Sequence, residues 1–200
     1  MTLEALDAKP DLVVWPEYAV LGDFFRDRSL HDRVSGFAKR IGTHLVLGTM
    51  TFVDEQHTGK EDLRTDTIVV FSPEGELLAR YDSARPLPFD SMVAAGREHP
   101  IVRMPKGSFS IGVCYEEFSD SPAFAADADF IVAVVNNNMQ DRSAGLGLAA
   151  LFSRLRAVEN GKFVVRATNT GQTQVVDPFG RVVARIDPYR PGVLLATIRI

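Results

Sequence analysis

The sequence predicts an α/β fold, with a mixed sheet or sheets flanked by crossover helices. Three observations carry that expectation. Apolar, β-branched runs alternate with longer stretches of helical spacing. Some neighbouring runs are joined by tight turns and so are antiparallel, while others are separated by a helical stretch, as parallel strands require. No Gly-x-Gly-x-x-Gly opens a helix and no Walker loop is present, which argues against a nucleotide-binding α/β domain.

Each element has its own local cause. Leu12–Trp15 is a short apolar run after a Pro-Asp break and reads as a buried strand. Over Arg26–Ile41 the apolar residues Leu30, Val34, Phe37, Ala38 and Ile41 fall near helical spacing, and Gly42 is a natural stop. Thr43–Phe52 is β-branched and apolar, hence a strand. Thr67–Phe71 and Leu77–Tyr81 flank Ser72-Pro-Glu-Gly75, the signature of a hairpin with its turn. Phe109–Tyr115 is a further strand, Ser119–Ala128 a short helix, and Asp129–Asn136 a strongly apolar strand. Ala144–Asn160 forms a longer helix stopped by Gly161. The rest is strand-rich: Phe163–Thr168, Gln172–Asp177, Val182–Ile186 and Val193–Ile200, with Asp177-Pro-Phe-Gly180 as a turn.

Length and composition bound the function. The 200 residues suit one domain spanning 1–200, and 46% hydrophobic with 24% charged residues excludes a disordered chain. Cys114 is the lone cysteine, so no disulfide forms within the chain. No apolar run approaches the roughly 18 residues that span a bilayer. The first residues lack the basic start and apolar core of a signal peptide. A soluble, cytoplasmic protein is expected. The formal net charge of −4 and the lack of a basic stripe argue against nucleic acid as a partner. His31, His44, His57 and His99 are scattered without metal-ligand spacing, and no metal or cofactor is called for.

Reactive chemistry is best placed on a few residues. Cys114 closes an apolar strand, where a sharp strand-to-helix bend presents a nucleophile and aims the Tyr115 N–H at a developing oxyanion. Read locally, a buried structural cysteine is the commoner case. Glu17 follows the Leu12–Trp15 strand, and strand carboxyl ends are where α/β proteins place their sites. A carboxylate walled by Trp15 and Pro16 has a raised pKa and can accept a thiol proton, although an isolated loop glutamate is usually solvated. Glu116 and Glu117 either point towards the thiol or serve a helix dipole. Asn136, with Asn137 and Asn138, ends a strand and can position a substrate or form a turn.

Taken together these segments resemble the nitrilase (carbon–nitrogen hydrolase) superfamily. The resemblance covers nearly the whole chain: Val13-Val-Trp-Pro-Glu17, Gly112-Val-Cys114-Tyr-Glu116, Arg156-Ala-Val-Glu159 and Arg166-Ala-Thr-Asn-Thr-Gly171 stand in the family order. Tyr81-Asp-Ser-Ala-Arg-Pro-Leu-Pro-Phe89 and Asp177-Pro-Phe-Gly-Arg181 are most similar to the nitrilase-like domain of the apolipoprotein N-acyltransferase branch.

The resemblance implies a four-layer α-β-β-α sandwich and a Glu-Lys-Cys triad, with Glu17 as base and Cys114 as the thioester-forming nucleophile. It implies an acyl donor, a phospholipid or an amide, and an amine or water as acceptor.

Several positions depart from the family pattern. Ser83 stands where the family has its lysine, and loss of a charged oxyanion donor costs about 3–4 kcal/mol. Arg85 is a conceivable substitute if the segment is extended, since residues two apart then share a face. Ser91 replaces a second glutamate of the branch, and the aromatic that usually follows the asparagine of the next strand is absent from Asn138-Met-Gln140. The family's first strand and part of its first helix have no counterpart before Leu12, nor do the branch's membrane helices in these residues. An extracytoplasmic location follows if the chain is a piece of a membrane acyltransferase. The alternatives are a catalytically silent nitrilase fold that binds a ligand or partner, and a soluble amidase.

Overall fold

The computed structural model describes residues 2–53, 63–97, 99–119, 124 and 127–200. Two sheets lie face to face. The first is four-stranded in the order β1-β2-β3-β4, from Leu12–Val14, His44–Phe52, Arg64–Phe71 and Leu77–Asp82. The second is six-stranded and pairs β5 (Ile101–Met104), β6 (Gly107–Val113), β7 (Phe130–Val135), β8 (Phe163–Thr168), β9 (Thr173–Val176) and β10 (Val182–Ile186), each with the next in that sequence. The parallel pairs are β1 with β2, β6 with β7, and β7 with β8.

The period-two alternation of side chains divides each strand between two cores. In β2, Val46 faces the other sheet while Leu45 and Leu47 face outward. In β7, Val132 and Val134 face inward and Ile131, Ala133 and Val135 outward. The inward set, with Ile68, Val70, Phe109, Ile111 and Val113, forms the inter-sheet core. Helix α1 (Arg28–Ile41) covers the first sheet through Val34, Ala38 and Ile41. Helix α2 (Gly145–Asn160) covers the second, with Ala157 against Val164 and Val176. The result is the expected four-layer α-β-β-α sandwich.

Helix ends follow their caps. Asp27 accepts the Leu30 N–H at 3.0 Å and starts α1 two residues later than expected. Gly42 and Gly161 end the helices in left-handed conformations, with φ 61° and 62°. In the β3–β4 hairpin the Ser72 hydroxyl accepts the N–H groups of Glu74 and Glu76. The Asp177–Gly180 turn is closed by Asp177 Oδ1, which accepts from Phe179 and Arg181.

Some expectations need correction. Val193–Ile200 forms no strand: among the described residues it pairs with neither sheet, and Ile198 merely packs on the inter-sheet core. Together with the edge of β1 this tail lines a cavity of about 1020 Å³. The short strand β5 escaped sequence reading. The strand expected over Phe109–Tyr115 ends at Val113, and Cys114–Phe118 is a 3-10 turn. The helix expected over Ser119–Ala128 falls largely outside the described residues, though Phe124 within it is helical and packs in the outer core of the second sheet. Leu3–Ala8 forms 3-10 turns ahead of β1. Among the described residues no helix is long and apolar enough to cross a membrane, and no group of His, Cys, Asp or Glu is arranged to hold a metal.

Candidate active site

Strands β1, β2 and β4 run one way through the first sheet, and the parallel strands β6, β7 and β8 align in the second. Their carboxyl ends bring Glu17 and Ser83 from one sheet towards Cys114 and Asn136 from the other. The site therefore lies at one end of the sandwich, where the sheets meet.

Glu17 is 3% exposed. Its loop lies so close to β2 that a Cβ built on Gly48 would stand 2.4 Å from the Glu17 Cα. Only glycine leaves room there, and the Gly48 N–H donates to the Pro16 carbonyl at 3.2 Å. The Cys114 thiol and the Asn136 backbone lie close enough to the Glu17 carboxyl to favour its charged form. Its other oxygen, Oε2, is buried without a hydrogen-bond partner. Burial first, and the Asp66 carboxylate second, push Glu17 up to about 8.

Cys114 has φ 43°, in the left-handed region that cysteine rarely adopts. This conformation bends the chain directly from β6 into the 3-10 turn. The residue keeps partial exposure, and its sulfur lies 3.6 Å from the Asn136 carbonyl. Burial pushes the thiol well above its usual range, and the adjoining Glu17 adds to this. The Tyr115 N–H, at the start of the turn, is one of the donors that such a turn leaves without an internal acceptor.

Glu116 is fully buried and braces the site rather than facing solvent. Its carboxylate accepts from the Tyr81 hydroxyl at 2.6 Å, the Ala84 N–H at 3.1 Å and the Val113 N–H at 2.7 Å. It thus ties the thiol turn to the end of β4. Burial raises its pKa, against those hydrogen bonds.

Ser83, just past β4, is 1% exposed and pinned on both sides. Its N–H donates to the Asp66 carbonyl at 2.9 Å and its carbonyl accepts the Gly96 N–H at 2.8 Å. Arg85 does not meet the condition for a substitute: the chain bends at Ala84 and Arg85, so the segment is not extended, and Arg85 is exposed where Ser83 is buried. Asn136 remains half-buried, its amide oxygen accepting from Asn169 Nδ2 at 2.6 Å.

Sequence reasoning missed Asp66 and Tyr18, and named Arg166 only as part of a family-like run, with no role. The Tyr18 hydroxyl donates to Asp66, whose own pKa is raised by burial. Nothing local marks Asp66, which is one polar residue in an alternating strand. Arg166 carried a signal, a charge inside the apolar run Phe163–Ala167, since a buried guanidinium must have partners. Those partners are Glu117 and Asn137. The Arg156–Glu159 motif forms an ion pair at 3.1 Å, and Arg156 also donates to the Ser119 carbonyl beyond the thiol turn.

A buried carboxyl beside a thiol on a strained turn is an arrangement suited to nucleophilic attack on a carbonyl. The family model for carbon-nitrogen hydrolases matches residues 1–200. Apolipoprotein N-acyltransferase of Vibrio cholerae is 28% identical over 99% of this chain and 44% of its own length. That of Pseudomonas aeruginosa is 28% identical over 92% of this chain and 40% of its own. The chain thus spans less than half the length of these relatives. Among solved structures, a nitrilase-superfamily amidase from Nesterenkonia superposes with a TM-score of 0.75 at 20% identity, covering 96% of this chain and 78% of that one. A nitrilase-superfamily protein of Saccharomyces cerevisiae gives 0.73 at 19% identity, covering 94% and 77%. At these identities the structures speak to the fold.

Proposed function

Because the chain belongs to the carbon–nitrogen hydrolase family, we propose that it is an acyl-transfer domain in which Cys114 is the nucleophile and Glu17 the proton carrier. The observation that carries this reading is the buried Glu17–Cys114 pair. A carboxyl near 8 is a far better match for a thiol proton than an ordinary glutamate.

In the first half-reaction the ionised form of Glu17, which gains on the acid as pH rises through about 8, takes the S–H proton while the sulfur bonds the acyl carbon. The Tyr115 N–H and the Ser83 hydroxyl face the oxyanion. The tetrahedral adduct collapses, the bond to the leaving alcohol or amine breaks, and Glu17 hands its proton to that group. In the second half-reaction an amine or water gives its proton to Glu17 and attacks the thioester. The C–S bond then breaks and the proton returns to sulfur. The relatives' names speak of an N-acyltransferase and an apolipoprotein, so the acceptor is read as a lipoprotein amine; the donor, a phospholipid or an amide, is read from the resemblance. Asn136 positions the substrate.

A second reading, a silent fold that binds a ligand or partner, is favoured by one observation. The groups acting most strongly on Glu17 and the thiol are burial, carboxylates and hydrogen-bond partners, and Ser83 adds no positive charge.

The test is intact mass after exposure to an activated acyl ester, a p-nitrophenyl ester. The wild type should gain one acyl group and Cys114→Ala none, while Ser83→Lys should acylate hundreds-fold faster, in line with about 3–4 kcal/mol of oxyanion stabilisation. An adduct that persists in Cys114→Ala sinks the acyl-transfer reading. Failure of both wild type and Ser83→Lys to acylate favours the silent fold.

A further inference from the structure

We propose that Arg166 is the positioning residue of the Cys114 thiol: one buried guanidinium joins the turn that carries the sulfur to the loop that faces it. The inference rests on Cys114 being the reacting thiol, but not on any substrate.

Arg166 lies in β8 and is 1% exposed. Its Nε donates to both oxygens of Glu117 at 3.0 Å. Glu117 is three residues beyond Cys114, in the same 3-10 turn, and is itself fully buried. In another direction Nη2 donates to Asn137 Oδ1 at 3.1 Å, and in a third Nη1 donates to the Gln172 carbonyl at 2.7 Å. Asn137 immediately follows Asn136, whose carbonyl lies 3.6 Å from the sulfur. The strand that supplies Arg166 also supplies Asn169 just beyond its end, and Asn169 Oδ1 accepts the Asn137 N–H at 3.1 Å. Position 171 must be glycine for this loop to close, since a Cβ there would stand 2.0 Å from Asn137 Oδ1.

The thiol is therefore held from two sides by one side chain. A residue at φ 43° relaxes towards an ordinary conformation unless its surroundings over-determine it. Glu116 fixes the front of the turn on Val113, and Glu117 fixes its back on Arg166. Lysine cannot replace this arrangement, because a single ammonium does not reproduce a planar fork with partners in three directions. Stability alone is a weak reason for a fully buried ion pair, since apolar groups of similar volume serve as well.

The experiment is the pH profile of Cys114 alkylation by iodoacetamide, read by intact mass on the full chain. The groups that set the profile are Glu17, Glu117 and the Asn136 backbone around the sulfur, with Asp66 acting on Glu17, and Arg166 and Arg156 on Glu117. In Arg166→Lys the turn loosens and water reaches the sulfur. The midpoint should fall by about one pH unit towards the free-thiol value near 8.5, with about tenfold faster alkylation below it. Glu117→Gln should shift the profile the same way. Asn137→Ala keeps the ion pair and should show a smaller shift in the same direction. Asp177→Asn removes an ion pair with Arg181 at the far end of the second sheet. It should lower the melting temperature and leave the profile in place. A profile for Asn137→Ala that superimposes on the wild type, in protein shown folded by circular dichroism, overturns the proposal whatever happens to Arg166→Lys and to Glu117→Gln, which also removes a charge acting on the thiol. Failure of acylation with a shifted alkylation profile would remove the proposed reaction and leave the positioning role intact.

Discussion

Glu17 is the residue at which folding and chemistry pull apart. Its carboxyl is raised from 4.5 to about 8, so between those values the folded state holds more protons than the unfolded one. Stability contributed by the protonated form is complete below 4.5 and is lost as pH rises through 8. Glu17→Gln, which cannot ionise, should flatten the decline of stability across that window. It should also raise the melting temperature at pH 8, by an amount worth on the order of a few kcal/mol. A melting curve series against pH checks this, and an unchanged slope would mean that the carboxyl titrates normally. At this scale the sequence was informative only where the signal is local. Glu17 and Cys114 each sit beside a strand end inside a recognisable run of residues. Asp66 stands in no such run, and Arg166 stands in one that does not show its role, because what makes them matter is a partner 48 or 49 positions away, Tyr18 for one and Glu117 for the other.

Elements obey shorter-range rules, and most of them could be read directly. Helix α1 follows from apolar spacing, the Asp27 cap and Gly42. Removing that cap in Asp27→Ala exposes the Leu30 N–H and should cost about 1 kcal/mol, visible in urea melts with an unchanged slope. The failures are equally physical. Val193–Ile200 has the composition of a strand, but a strand is a relation between two segments, and periodicity describes only one of them. Strand β5 failed for the opposite reason: Ile101–Met104 is too short to show a period, and it exists because β6 offers it an antiparallel edge. The end of β6 shifted inward because the backbone at Cys114 leaves the extended region, and a side-chain pattern carries no record of that.

At the scale of the whole molecule, the inter-sheet core is what makes the site possible. The Glu17–Cys114 and Tyr81–Glu116 contacts both cross from one sheet to the other, so the distance between sheets is set by the side chains packed between them. Ile68 is fully buried at that interface. Ile68→Ala should cost about 2–5 kcal/mol in a denaturant melt; a cost below that range would mean that the sheets close over the gap. The left-handed backbone at Cys114 has a further consequence, which concerns inheritance rather than reactivity. Glycine is the residue that this backbone accommodates without strain. Exchange of the cysteine for glycine would remove the thiol and relieve the fold in one step. For a lineage with no use for the thiol, that relief competes with the packing of the sulfur on the inter-sheet core and on the outer core of the second sheet, which glycine would forfeit.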